Sequence, residues 1–221
     1  MMHKEKVIII TGASSGIGKA LYRYFKLNSD YETIGISRRG PNISVDFSHR
    51  MRSEIQLFTG LQGNEYYRNR GCSLLVNCAG IMPLDEAGME RSIFDVNFWS
   101  IITTTKVVCM CQGGCIINIA SISGMKAEAE LPIYAASKAA VISYTKSCAK
   151  ALAPDVRVNS ISPGYFKTEL VPGPTPIDMI QSEVPMGYEE QPANLVPLIE
   201  TIWNTPYMTG VNVVIDGGAL L

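Results

Sequence analysis

Tyr134 and Lys138 stand four residues apart in Tyr134-Ala135-Ala136-Ser137-Lys138, a spacing that on a helix projects both side chains from one face. A free phenol titrates near pH 10, so it exchanges protons poorly at neutral pH unless a neighbouring cation stabilises the phenolate. Lys138 can supply that cation. By itself such a pair is common on protein surfaces, and its meaning depends on what accompanies it. A second stretch with chemical content lies near the start, Thr11-Gly12-Ala13-Ser14-Ser15-Gly16-Ile17-Gly18. Glycines between an apolar run and a helical one let the backbone approach a pyrophosphate, and the head of the helix offers it unpaired N–H groups. The spacing is Gly-x3-Gly-x-Gly, unlike the general dinucleotide fingerprint Gly-x-Gly-x2-Gly, so the turn alone does not identify a nucleotide site.

Both stretches need rigid elements to hold them. Short β-branched runs at Val7–Ile10, Thr33–Ile36, Ile43–Val45, Leu74–Val76, Cys115–Ile119, Arg157–Ile161 and Val211–Ile215 predict buried strands. Helical spacing over Lys19–Leu27, Ile93–Cys111 and Tyr134–Leu152 alternates with them, which predicts an α/β fold with a parallel sheet covered on both faces. Only Ser37–Asn42 separates the second and third runs, too short for a crossover helix, so a loop is expected there. Residues 163 to 206 hold eight of the twelve prolines, Pro172, Pro174 and Pro176 among them, and read as an irregular flap suited to covering a substrate.

At 221 residues, 47% hydrophobic and 18% charged, with a mean hydropathy of +0.12, the chain is predicted to fold as a single domain over residues 1–221. The formal net charge of −1 argues against a nucleic-acid partner. Residues 1–70 carry 11 Lys and Arg against 6 Asp and Glu, which favours a phosphate-bearing ligand at that end. No run approaches the length of a membrane span, and the start lacks a secretory apolar segment. Six scattered cysteines do not form a disulfide framework, so a reducing, cytoplasmic setting is expected. Cys109, Cys111 and Cys115 lack a fourth ligand at suitable spacing, with only His3 and His49 elsewhere, and no metal site is expected.

Taken together the motifs resemble the short-chain dehydrogenase/reductase family, and the resemblance runs the length of the chain. Asn77-Cys78-Ala79-Gly80 is similar to the family's Asn-Asn-Ala-Gly, and Asn97 to its active-site helix asparagine. Ser121 lies thirteen residues before Tyr134, as the family's catalytic serine does, which favours it over Ser123. Pro163-Gly164, with Phe166 and Thr168 after it, resembles the nicotinamide-side loop, and Asp46-Phe47 the adenine-binding pair. Asp216-Gly217-Gly218 resembles the closing turn, in a segment most like reductases of 3-oxoacyl thioesters.

The resemblance implies a single-domain, doubly wound Rossmann fold and hydride transfer between a nicotinamide and a carbonyl or secondary alcohol of a small polar substrate. It implies a catalytic set of Asn97, Ser121, Tyr134 and Lys138. Tyr134 would exchange the proton, Ser121 would bond the reacting oxygen, Lys138 would bind the ribose and lower the Tyr134 pKa, and Asn97 would hold a water. Cofactor contacts are expected at Gly12, Ser14, Ser15, Gly16, Ile17, Gly18, Asn77, Ala79 and Gly80, and again at Tyr134, Lys138, Pro163, Gly164, Phe166 and Thr168.

The turn after the second strand reads Ser37-Arg38-Arg39, with no carboxylate for a ribose 2′-hydroxyl and an arginine fork suited to a 2′-phosphate. NADP(H) is therefore expected over NAD(H), with Ser37 and Arg38 as contacts and Arg39 as a third. Helices packing across subunits in this family imply a homodimer or homotetramer. A dinucleotide-binding regulator that has kept the fold but lost turnover is the rival class, and the complete set of four favours the enzyme.

Overall fold

The computed structural model describes residues 6–28, 30–170 and 175–221; His3, Pro172 and Pro174 lie outside them. The strands are β1 (Lys6–Thr11), β2 (Tyr31–Ser37), β3 (Ile43–Ser44), β4 (Cys72–Asn77), β5 (Met110–Ile119), β6 (Val156–Pro163) and β7 (Asn212–Ile215). They form one parallel sheet in the order β3-β2-β1-β4-β5-β6-β7. Alternate residues of each strand face opposite sides. Ile8 and Ile10 pack with Leu21 and Phe25 of α1 (Gly16–Leu27) and Ile199 and Ile202 of α8 (Val196–Asn204). Val7 and Ile9 pack on the other side with Leu57 and Leu61 of α2 (Arg50–Gln62) and Ala149 of α6 (Pro132–Leu152). This is the expected doubly wound Rossmann fold.

The chain turns outward from β1 to β2 on one side and resumes at β4 on the other, so strand order reverses between β1 and β4. In such sheets ligands sit outside the carboxyl ends of the strands at this reversal. The glycine-rich turn follows β1 and Asn77–Gly80 follows β4, so the topology alone brings these two motifs together.

Several predicted elements differ. The expected helix Ile93–Cys111 runs instead as α4 (Glu90–Phe94), a π-helical turn at Asp95–Trp99 and α5 (Ser100–Val107). Val108 is extended, and Met110 already begins β5, so Cys109 and Cys111 are not helical. Helix α2 and α3 (Glu65–Arg70), between β3 and β4, carry no clear apolar period. In α2, Leu57 and Leu61 are buried while Met51, Ile55 and Phe58 are exposed, so apolar residues occur on both faces. Residues 163 to 206 are not irregular throughout: α7 (Ile177–Glu183), a 3₁₀ turn at Pro192–Leu195 and α8 lie within them. Pro192 and Pro197 sit in first turns, where a missing N–H breaks no helical bond. The loop between β2 and β3 is present as expected.

Candidate active site

Tyr134 and Lys138 lie one turn apart near the head of α6, 4% and 5% exposed, and the Lys138 ammonium stands 5.8 Å from the Tyr134 ring centroid. The end of β5 feeds into a 3₁₀ turn at Ile122–Gly124 whose N-cap is Ser121. Ser121 Oγ accepts the Ser123 N–H at 3.1 Å and lies close enough to the Tyr134 phenol to lower its pKa. Ser123 Oγ instead donates to Glu128 at 3.1 Å, so the structure brings Ser121 and not Ser123 to the phenol. Gly124 makes this approach possible, because a Cβ there would lie 2.7 Å from the backbone at Lys138 and Ala139.

Burial pushes the Tyr134 phenol up to about 12; the Ser121 hydroxyl opposes this and the Glu128 carboxylate adds to it. Lys138 is pushed down to about 8, again chiefly by burial, and its Nζ donates to Ile119 O at 3.0 Å. Lys138 is not among the groups that move the Tyr134 phenol in this arrangement, and its ammonium is directed to the Ile119 carbonyl instead. Cys78, in place of an amide, is half-buried, and desolvation pushes its thiol up to about 12, so it stays neutral, while its N–H donates to Thr11 Oγ1 at 3.0 Å.

Asn97 lies in the π-helical turn, fully buried. Its Oδ1 accepts the Ile81 N–H at 2.8 Å, and its Nδ2 donates to Ile81 O at 2.9 Å and to Ser137 Oγ at 3.1 Å. The side chain is a clip between the segment after β4 and α6. Asn77 Nδ2 donates to Asn118 Oδ1, Thr104 donates to Asn77 Oδ1, and Asn118 Nδ2 donates to Thr145. These satisfied polar groups tie β4, β5, α5 and α6 beneath the site. The Asn77 side chain is spent there. A Cβ on Gly80 would lie 3.4 Å from Asn97 Oδ1 and 3.6 Å from Lys138 Nζ, which puts Gly80 against both.

On the other side of the crevice, Gly12 has φ of +68°, and a Cβ there would meet Cys78 O at 2.8 Å. A Cβ on Gly18 would meet Gly12 O at 2.3 Å, so the turn folds tightly over the head of α1. Ser14 and Ser15 are exposed, and Ile17 packs against the core. Thr168 lies over Gly16, and the Glu169 carboxylate accepts the Gly16 N–H at 2.8 Å. Pro163 ends β6, Gly164 packs on Asp216, and Phe166 pairs with Glu190. Asp46 bonds the Ser48 N–H and hydroxyl; burial works against its charge, but these bonds and Arg38 hold its carboxyl low. Phe47 is buried in the core.

The short chain dehydrogenase profile matches residues 43–175. Carbonyl reductase family member 4 of Xenopus tropicalis is 32% identical, covering 98% of each chain. A 3-oxoacyl acyl-carrier-protein reductase of Chlamydia pneumoniae is 30% identical, covering 96% of each. The chain belongs to the short-chain dehydrogenase family. The structure of 4-hydroxyisoleucine dehydrogenase complexed with NADH, 32% identical, superposes with a TM-score of 0.82 over 97% of this chain and 98% of its own.

This dehydrogenase is accordingly an oxidoreductase of CH–OH and C=O groups whose fold binds a nicotinamide dinucleotide. Its residues fit that group on their own chemistry. The Glu169 carboxylate shows that the head of α1 accepts an anion. At the end of β2, Ser37 Oγ is buried without a hydrogen-bond partner beside the exposed Arg38 and Arg39. The motifs did not point to Glu169, Gly124 or Asn118, because each acts through a long-range contact. No helix among the described residues is long and apolar enough to cross a membrane, and no cluster of three His, Cys, Asp or Glu there is placed for a metal.

Proposed function

We propose that the chain, as one domain over residues 1–221, interconverts a carbonyl and a secondary alcohol on a small polar substrate using NADP(H). The buried Ser121–Tyr134 pair, with Lys138 one turn below, carries this reading. When bound, the nicotinamide supplies or accepts the hydride. Tyr134 gives its phenolic proton to the substrate oxygen in reduction and takes it back in oxidation, and Ser121 donates a hydrogen bond to that oxygen as charge develops. Lys138, beside Gly80, reaches the ribose, while Asn97 holds α6 against the segment after β4. Gly12, Ser14, Ser15, Gly16, Ile17 and Gly18 form the pyrophosphate cradle, with Thr168 closing over it.

Ser37, Arg38 and Arg39 supply a donor fork for a 2′-phosphate, which favours NADP(H). The substrate end is a polar belt: Glu128 holds Ser123 and Lys126, Lys126 also pairs with Glu183, and Glu183 accepts from Tyr165 at 2.5 Å. Two carboxylates share one ammonium there, which supports a neutral hydroxyl-rich substrate over a polyanionic acyl carrier. The protein works as a cytoplasmic homodimer or homotetramer.

Titration with NADPH and NADH at one salt concentration, followed by nucleotide fluorescence, tests the cofactor assignment. NADPH should bind about tenfold or more tightly, and Arg38→Asp should reverse the order, as the loss of a charge-assisted bond worth about 1.5–3 kcal/mol requires. An unchanged ratio in Arg38→Asp would refute it. Binding of either nucleotide without turnover of any carbonyl would instead favour the regulatory reading.

A further inference from the structure

The helix that carries Tyr134 lacks a cap of its own. The first turn of a helix leaves N–H groups without intrahelical acceptors, and a short polar side chain at the N-cap ordinarily accepts one of them, from the second or third helical residue. Here the N-cap is Leu131, which has no acceptor, and no acidic residue stands in the first turn. Pro132 has no N–H, and Ala135 N–H already bonds Leu131 O at 3.0 Å. That leaves Ile133 and Tyr134. Glu86, from the segment after β4, takes both: Oε2 accepts the Ile133 N–H at 2.9 Å and Oε1 the Tyr134 N–H at 2.6 Å.

The segment that bears Glu86 is itself anchored. At its start Ile81 is clipped by Asn97 through both its N–H and C=O, and at its end Met89 N–H bonds Glu86 O at 2.9 Å, just before α4. One strap therefore touches Asn97 with its first residues and holds the backbone of Tyr134 with its carboxylate. We propose that Glu86 is a positioning residue of the reaction: a distant N-cap that sets where α6 begins and so holds the Tyr134 phenol in register with Ser121. This rests on the reading of Tyr134 as the proton-transfer group. Charge-assisted bonds to two adjacent N–H groups fix a helix head more tightly than a neutral cap does. Proton transfer is sensitive to misplacement on the ångström scale, and both Glu86 bonds go to the head of α6 rather than to the Gly12–Gly18 turn.

The test is a rescue experiment on the purified full chain. Glu86→Ala should lower kcat about tenfold with the nucleotide Kd changed less than twofold, by the cost of misplacing a reacting group. Adding Leu131→Asp restores a charged acceptor in the local N-cap position, within reach of the Ile133 or Tyr134 N–H, and should recover most of the lost kcat. A role confined to the fold of the strap would not be rescued from the far side of the contact. If Glu86→Ala does not fold, Glu86→Asp, whose carboxylate is one methylene short of spanning both groups, takes its place with the same expectations. Wild-type kcat in the folded single variant, or no recovery in the double variant, would overturn the proposal. Tyr134→Phe separates the two readings: if it keeps full activity, the assignment of Tyr134 fails; if it is inactive while Glu86→Ala is normal, only the role of Glu86 fails.

Discussion

Around Tyr134 the polar side chains already hold protein partners: Asn97 clips Ile81 and Ser137, Ser121 accepts the Ser123 N–H, and Lys138 bonds Ile119 O. At the end of β2 the reverse holds, for Ser37 Oγ is buried without a partner and the Arg38 and Arg39 side chains are exposed. One region is assembled by the fold before any ligand arrives. The other leaves a buried hydroxyl unpaired beside two exposed guanidinium groups. The reacting groups must be held within fractions of an ångström to act, and that precision comes from buried bonds within the chain. The head of α1 lies between these extremes, occupied by the chain's own Glu169 carboxylate.

The largest effect should come from the preassembled side. Tyr134→Phe removes the transferable proton and leaves the ring packing, so kcat should fall about 10²–10⁴-fold, the usual weight of a positioned acid or base. Nucleotide affinity should stay within about twofold of wild type, because the bonds that build the Gly12–Gly18 turn do not involve the phenol. Fluorescence titration beside steady-state kinetics checks both. Equal loss of binding and turnover would show that the two regions are one unit and break the comparison.

The same division explains what could be read in advance. The glycine-rich turn, Ser121, Tyr134 and Lys138 sit in short contiguous stretches whose spacing is itself the signal, and the buried strands announce themselves as apolar runs. Helix α2 was hidden because its exposed Met51, Ile55 and Phe58 blur the period of the buried Leu57 and Leu61. Helix α8 was hidden by Pro192 and Pro197, which read as breakers but occupy first turns. Glu86 and Glu169 act on N–H groups 47 to 48 and 153 residues away, and no local spacing encodes such a partnership. The pKa balance at Tyr134 was equally out of reach, since it depends on how completely the fold removes water from the phenol.

A second effect sharpens the cost of preassembly. Lys138 falls from 10.5 to about 8 on folding, chiefly through burial. Between those pH values the unfolded chain holds a proton that the folded one releases, so this group makes stability rise with pH across that window. Below pH 8 the penalty is fully present, about 3 kcal/mol from the pKa gap, partly offset by the bond to Ile119 O. Lys138→Met should therefore abolish turnover yet stabilise the protein at pH 7 by about 1–2 kcal/mol, a rise of a few degrees in Tm. The advantage should shrink as pH approaches 10. Tyr134 works in the opposite sense, since its raised pKa costs stability only above pH 10. Thermal melts of both proteins from pH 6 to 10 test this; a variant less stable than wild type at pH 7 would mean that Lys138 supports the fold it sits in.

The smallest effect belongs to the head of α1. Glu169 is held below the usual carboxylate range first by the Gly16 N–H, so it remains an anion on the N-terminus of α1 through the mildly acidic range. A pyrophosphate approaching the same N–H must displace it or share with it, and like charges at one helix end are unfavourable. Glu169→Gln keeps the size and an acceptor but removes the charge, and should tighten binding of either nucleotide about two- to fivefold, the weight of one exposed charge at a helix terminus. The gain should be the same for NADPH and NADH, because the group acts on the shared pyrophosphate and not on the 2′-position. Added salt should diminish it. Isothermal titration at two salt concentrations reads all three features. A gain confined to NADPH would place Glu169 with the arginine turn instead, and weaker binding would make it a partner of the cofactor rather than its competitor.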